Sequence, residues 1–377
     1  MQQRVVVKIG SSSLTGPEGG LNREQINYFA AELAGLWREG IQVLLVTSGA
    51  VAAGFTQIGY RERPKAVHEK QASAAVGQAL LMQAYHEAFA RYGHSVAQIL
   101  LTRMDFSERR RMHNASGTIE ELLKHGVVPI INENDTVAVD ELKKLKFGDN
   151  DTLSALVANM VKADTLAIVT DMDGLYTDDP RKNPAAVRIE RVTEITGDVF
   201  RSAGGAGSSV GTGGMRSKIE AARIATRGGV PVFVGRATEP GDLLLAVRGD
   251  GKGTYFDALL QTVPARKQWI GYYSTPAGKI TVDEGAAQAL LHGGKSLLPA
   301  GIRDAEGDFH PGDVVEVVDL TGEALGRGVV NYTLWQIQAS AGLTTDEVQK
   351  RMDVPRIEVI HRDDWLTTYI PQGGVNT

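Results

Sequence analysis

From Arg4 to Gly235 the sequence alternates between short apolar runs and longer stretches with helical spacing, and this rhythm limits the fold more than any other feature. The runs Arg4 to Ile9, Gln42 to Thr47, Ser95 to Leu101, Val127 to Asn132, Thr165 to Thr170 and Val230 to Gly235 read as strands. Between most of them lie helical patterns: Asn22 to Glu39, Ala66 to Arg91, Ser107 to Lys124, Asp151 to Lys162 and Met215 to Arg227. In the first, Ile26, Phe29, Ala30 and Leu33 fall on one face. Strands alternating with helices imply βαβ crossovers. VVVKI, VLLVT and VVPII are nearly continuous in apolar residues, as expected of strands covered on both faces. The expected fold class is α/β, an αβα sandwich around a mainly parallel sheet.

From about Gly249 the rhythm stops. The turn-rich GDGKG is followed by short β-type runs, Lys279 to Val282, Asp313 to Val318 and Gly326 to Tyr332, split by Gly and Pro. We therefore expect a catalytic domain over 1–258, a linker over 259–275, a small mostly-β domain over 276–355 and a loose tail over 356–377.

Composition narrows the chemistry. There is no cysteine, which excludes disulfides, cysteine-based zinc sites and thiol nucleophiles. The formal net charge of −5 argues against a protein built to coat nucleic acid. No signal segment or long apolar run is visible, so a cytoplasmic protein without a membrane span is expected. None of the eight His forms H-x-x-x-H or H-E-x-x-H, so a zinc hydrolase is not expected. The stretch ALLHGGKS, Ala289 to Ser296, nearly spells a phosphate-binding loop, but a helical run precedes it and Pro299 follows closely. A real one follows a strand and opens a helix.

In a parallel sheet, ligands bind beyond the carboxyl ends of the strands. Five segments there carry polar residues. Lys8 lies in a strand otherwise built for a core, just before the turn at Gly10. A buried ammonium is costly unless paired, so a phosphate site is one reading and an edge strand the other. VTSGAVAAG places Ser48 before a small-residue helix, as a cap or as part of an anion site. INENDTVA and GDNDTLSA bring Asn132 to Asp135 and Asp149 to Asp151 into play. Capping accounts for one acid there but not for two adjoining clusters; acids and amides together suit a zwitterion. AIVTDMDGLYTDDPRKNP is a long polar loop of the kind that binds ligands. GTGGMRSK runs from a Gly-rich loop into a helix carrying Lys218, which suits phosphates but matches neither the P-loop nor the G-x-G-x-x-G spacing.

As an ordered set, VVVKIGSSSLT, VTSGAVAAG, PIINENDTVA, FGDNDTLSA, VTDMDGLYTDDPR and GTGGMRSK resemble the amino acid kinase family. WIGYYSTPAGKITVDEGA and SLLPAGI resemble a PUA domain. One departure is visible: the loop ELKKLKFGDND looks slightly longer than the family's usual spacing.

The resemblance implies ATP-dependent phosphorylation of the γ-carboxylate of L-glutamate, with Mg²⁺. It implies that Lys8 and Lys218 stabilise the transferring phosphoryl group and that Asp151 orients both. Ser48, Asp135 and Asn150 would contact glutamate. Lys8, Thr170, Asp171, Thr212, Gly213, Gly214, Met215, Arg216, Ser217 and Lys218 would form the nucleotide site. It singles out no protein ligand for Mg²⁺. It further implies a homo-oligomer and feedback inhibition by proline. Other carboxylate or nucleotide substrates within the family, such as acetylglutamate or aspartate, remain open. RNA binding by the C-terminal domain is not expected, because 276–355 holds six basic residues against twelve acidic ones.

Overall fold

The computed structural model describes all residues except 1, 17–18, 138–149, 204–213, 260–262, 353, 355 and 370–377. The chain divides into two compact units, Met1–Asp105 with Arg109–Thr262, and Phe106–Glu108 with Val263–Thr377.

The first unit is built on an eight-stranded sheet. Its strands are β1 (Arg4–Ile9), β2 (Gln42–Val46), β3 (Val96–Leu101), β4 (Val128–Glu133), β5 (Thr165–Val169), β6 (Arg191–Val192), β7 (Val232–Gly235) and β8 (Gly253–Phe256). They lie in the order β3-β4-β2-β1-β5-β7-β8-β6. Pairing is parallel except between β7 and β8. All six expected strands are present and mainly parallel, as read from the sequence. On one face, Val5, Val7, Ile9, Val43 and Leu45 share a core with the helices Arg23–Arg38, Val67–Ala90 and Asp242–Arg248. Each such buried side chain contributes roughly 1.5–3 kcal/mol. The opposite face carries the helices Asn150–Met160 and Met215–Arg227.

Two features differ from expectation. The pattern from Ser107 to Lys124 is the helix Arg109–Lys124, and a further short helix, Arg103–Ser107, precedes it. At the break, Phe106 is buried with its ring centroid 5.9 Å from that of Tyr273, and the Ser107 carbonyl accepts from Trp269 Nε1 at 2.8 Å. These contacts give Phe106–Glu108 to the second unit. Next, GDGKG does not end the α/β layer, because β8 follows it and pairs antiparallel with β7 in the same sheet. Four residues with one tyrosine and one phenylalanine are too short a run to read as a strand. The extended loop between Glu141 and Gly148 lies outside the described residues.

The second unit holds a five-stranded sheet of β9 (Gly278–Val282), β10 (Ile302–Gly307), β11 (Val314–Val318), β12 (Ala324–Val330) and β13 (Ile360–Thr367). The order is β10-β9-β11-β12-β13, around a core that includes Ile280, Phe309, Val315, Val317, Tyr332 and Trp365. β13 corrects the expected loose tail: it pairs antiparallel with β12. Both unforeseen strands, β10 and β13, are edges of the sheet. Edge strands carry charge, here Arg303, Asp304 and Glu306 in one and Arg362 to Asp364 in the other, which hides the apolar signal. The segment resembling a phosphate loop follows the helix Glu284–Leu291 and runs into a 3-10 turn at Pro299–Gly301, so it lacks the strand-to-helix context.

Candidate active site

Lys8 is not on an edge strand. β1 lies between β2 and β5, and Lys8 sits opposite Val46 and Ile168. Alternation along β1 sends Val5, Val7 and Ile9 to one core and Lys8 to the other face. There Lys8 Nζ meets Asp151 Oδ1 at 2.5 Å, in the first turn of the helix Asn150–Met160. Lys218 Nζ reaches the other oxygen, Asp151 Oδ2, at 3.1 Å from the first turns of the helix Met215–Arg227. Ser217 Oγ donates to the same Oδ2 at 2.7 Å. Asp151 is fully buried, and the two lysines are 5% and 6% exposed.

Burial pushes the Asp151 carboxyl up. The Lys8 and Lys218 ammonium groups and the hydrogen bonds from Lys8 and Ser217 outweigh it, so its pKa lies below the usual carboxylate range. The three ionised groups carry one net positive charge away from bulk water. Buried charge of one sign is costly unless paired, so this trio suits an anionic ligand. Asp151 binds both lysines at once, which makes it the element that sets their separation.

An amide chain continues from the residue before Asp151. Asn150 Nδ2 donates to Asn132 Oδ1 at 3.1 Å. The same oxygen accepts from the Glu133 backbone N–H at 2.9 Å. Asn132 Nδ2 donates to Gln78 Oε1 at 2.9 Å, and Gln78 Nε2 to Gln98 Oε1 at 3.0 Å. Asn132 is buried at the end of β4. Close by in sequence, Asp135 follows β4; burial raises its carboxyl to about 6, opposed in part by the positive Arg63. Gln78, Gln98 and Arg63 were not among the candidates read from the sequence. No local pattern marks them, since each matters only through a residue far away in the chain.

Ser48 does not cap a helix. Gly49, with φ of +106°, occupies the N-cap position of the short helix Ala50–Gly54, and Ser48 Oγ donates instead to the Ile9 carbonyl at 3.3 Å. That ties it to the strand carrying Lys8.

The nucleotide candidates Thr170 and Asp171 follow β5. Thr170 N–H bonds the Gly235 carbonyl at 2.9 Å, and Thr170 Oγ1 donates to Asp171 Oδ1 at 3.1 Å. Two residues, one just after β7 and one in β8, grip this loop. Arg236 donates to the Asp171 carbonyl at 2.8 Å and pairs with Asp173 at 3.1 Å. Thr254 Oγ1 accepts from the Leu175 N–H at 2.8 Å and donates to the Ile189 carbonyl at 2.6 Å. At Gly174, φ is +127° and an added Cβ would lie 2.7 Å from Thr254 Oγ1, so only glycine suits this contact. Thr254 was missed because β8 was missed. Of the other nucleotide candidates, Gly214 is the N-cap of the Lys218 helix, and Arg216 is exposed in its first turn. Thr212 and Gly213 lie outside the described residues.

A fold of this kind, with two buried lysines bridged by one aspartate at the ends of its strands, defines a phosphotransferase class. The profile of the amino acid kinase family matches residues 3–236, and that of the PUA domain matches residues 278–352. The chain belongs to the amino acid kinase family. Curated relatives that it matches over nearly its whole length include glutamate 5-kinases. It is 51% identical over 367 residues to glutamate 5-kinase from Geobacillus kaustophilus (strain HTA426), covering 97% of both chains. Glutamate 5-kinase from Geobacillus thermodenitrificans (strain NG80-2) is 50% identical over the same coverage. That from Bacillus cereus (strain ATCC 10987 / NRS 248) is 47% identical, covering 97% of this chain and 99% of its own.

Proposed function

We propose that the protein transfers the γ-phosphoryl group of ATP to the γ-carboxylate of L-glutamate, giving L-glutamyl 5-phosphate. The observation that carries this reading is Asp151 held between Lys8 and Lys218. The identity to glutamate 5-kinases over nearly the whole chain supports the choice of acceptor.

The chemistry needs little from a base. A glutamate side chain, with a pKa near 4.3, is already ionised at neutral pH. A carboxylate oxygen attacks the γ-phosphorus; a new O–P bond forms as the bond from that phosphorus to the β,γ-bridging oxygen breaks. ADP departs with the electron pair. The barrier is the approach of two anions, so catalysis is positioning and charge neutralisation. In this reading Lys8 and Lys218 are the catalytic residues that touch the transferring group, and Asp151 positions both. Ser48, Asp135 and Asn150 hold glutamate. Thr170 and Asp171, with the stretch of sequence from Thr212 to Lys218, hold ATP. Mg²⁺ would enter on the phosphates, where it supplies charge neutralisation. Among the described residues no group of three or more His or acidic side chains is placed to hold a metal, so no protein ligand is assigned.

As a glutamate kinase the protein would stand at the start of proline synthesis, be inhibited by proline and work as a homo-oligomer in the cytoplasm. No described helix is long and apolar enough to cross a membrane. The test is hydroxylamine trapping of the acyl phosphate with glutamate, acetylglutamate and aspartate, alongside release of ADP with each of these and with a nucleoside monophosphate. Hydroxamate formed from glutamate alone is expected. Faster turnover of another acceptor would overturn the assignment.

A further inference from the structure

The amide chain running from Gln98 to Asn150 has a direction, and the direction decides what Asn150 can recognise. A side-chain amide has one accepting end and one donating end. The Glu133 backbone N–H can only donate, and it meets the Asn132 side chain at 2.9 Å. The atom facing it is therefore Asn132 oxygen. Asn150 approaches that same oxygen, at 3.1 Å, so it must present its nitrogen. Its own oxygen is left over: Asn150 Oδ1 is buried and has no hydrogen-bond partner among the described residues. At the far end, Asn132 nitrogen is satisfied by Gln78 Oε1 at 2.9 Å.

Gln78 is held firmly where it stands. Its neighbour Gly77 lies so close to the helix Ala50–Gly54 that an added Cβ would come within 1.8 Å of the Ala50 carbonyl oxygen. The long helix Val67–Ala90 is thus pressed against its partner one residue before Gln78.

We infer that Gln78 is a positioning residue which, with the Glu133 N–H at the other end of the Asn132 amide, holds Asn150 as a hydrogen-bond acceptor and so makes the substrate subsite selective for an ammonium group. The inference rests on the glutamate-kinase reading and deepens it. An unpartnered buried acceptor is a place where a ligand donor gains and a ligand acceptor loses. Asp135, assigned to this subsite together with Ser48 and Asn150, is also an acceptor once ionised. Two acceptors recognise an amino group and reject a dicarboxylic acid that lacks one.

The test uses the full-length protein and two substitutions, with glutamate as substrate and glutarate, which has both carboxylates but no ammonium, as competing probe. Gln78→Leu leaves Asn132 nitrogen without its acceptor, so that the Glu133 N–H alone holds the Asn132 amide and Asn150 is positioned less firmly. It should raise glutamate KM by about tenfold, leave ATP KM and kcat within about twofold, and leave the glutarate inhibition constant unchanged. Gln78→Glu keeps the accepting oxygen, and exposed Gln98 can turn its amide to suit it. Glutamate KM should return to within about twofold of the parent. Should the leucine variant not fold, Gln78→Met removes the same acceptor with a more adaptable side chain. An unchanged glutamate KM in the leucine or methionine variant overturns the inference. So does equal weakening of glutamate and glutarate, or a glutamate variant as impaired as the leucine one. A parent protein that forms no hydroxamate from glutamate would sink the underlying reading instead, and the inference with it.

Discussion

Lys8 Nζ lies 2.5 Å from Asp151 Oδ1, in a site where the carboxylate is fully buried and the lysine nearly so. The pair joins the central strand β1 to the helix on its second face. Because Lys218 takes the other carboxylate oxygen, moving any of the three moves the others.

Lys8→Ala or Lys218→Ala should therefore lower kcat by about 10²-fold or more, with a much smaller effect on glutamate KM, because the charge is needed most as the phosphoryl group moves. Steady-state kinetics with each substrate varied in turn checks this. Intact kcat with only a raised glutamate KM would remove both lysines from the catalytic role. Asp151→Ala should cost more in folding than either, on the order of 3–5 kcal/mol, since it strands two buried ammonium groups. Chemical denaturation reads that difference.

Asp135 supplies a pH test. Its folded-state carboxyl is raised to about 6 by burial, against partial opposition from Arg63. The raised value means that ionisation costs stability above the unfolded pKa, a cost relieved as pH falls through about 6. Binding should run the opposite way, because only the carboxylate holds an ammonium. Glutamate KM should climb below pH 6 by roughly tenfold per pH unit, with ATP KM flat. Asp135→Asn should erase that limb; if the climb persists, another group titrates.

Thr254 should matter to ATP and not to glutamate. Thr254→Val keeps the shape but strands the Leu175 N–H, which its hydroxyl now accepts, at a cost of about 1–3 kcal/mol. ATP KM should rise by about fivefold or more, with glutamate KM unchanged. Equal effects on both substrates would mean general damage to the sheet.

Proline shares the α-amino acid head of glutamate, so inhibition should be competitive with glutamate and weakened by Asp135→Ala. Inhibition undiminished at saturating glutamate would point to a separate site.

A chain ending near Val263 should still phosphorylate glutamate, since every catalytic and binding residue assigned, and Arg236 and Thr254 beside the nucleotide loop, precede that point. It should melt at a lower temperature, because Phe106 and the Ser107 carbonyl lose Tyr273 and Trp269. Activity and circular dichroism separate the outcomes. A natively folded but inactive product would give the C-terminal unit a part in catalysis.

The sequence by itself determined the parallel sheet, because strands covered on both faces are nearly continuous in apolar residues, as VVVKI, VLLVT and VVPII are, and they alternate with helical patterns. It also set out the polar segments at the strand ends, since nothing in a core explains Lys8 or the run from Asp149 to Asp151. What it could not carry was any property that depends on two distant positions meeting. Lys8 and Lys218 are separated by most of the first unit, and only the fold puts them on the two oxygens of one carboxylate. The edge strands β10 and β13 and the short β8 were hidden for the same reason: an edge or a short strand is made by its neighbour's hydrogen bonds more than by its own apolar pattern. The polarity of Asn150 is the sharpest case. An asparagine in a sequence is both donor and acceptor, and it took a backbone N–H at Glu133, acting through Asn132, to leave its oxygen as the free end.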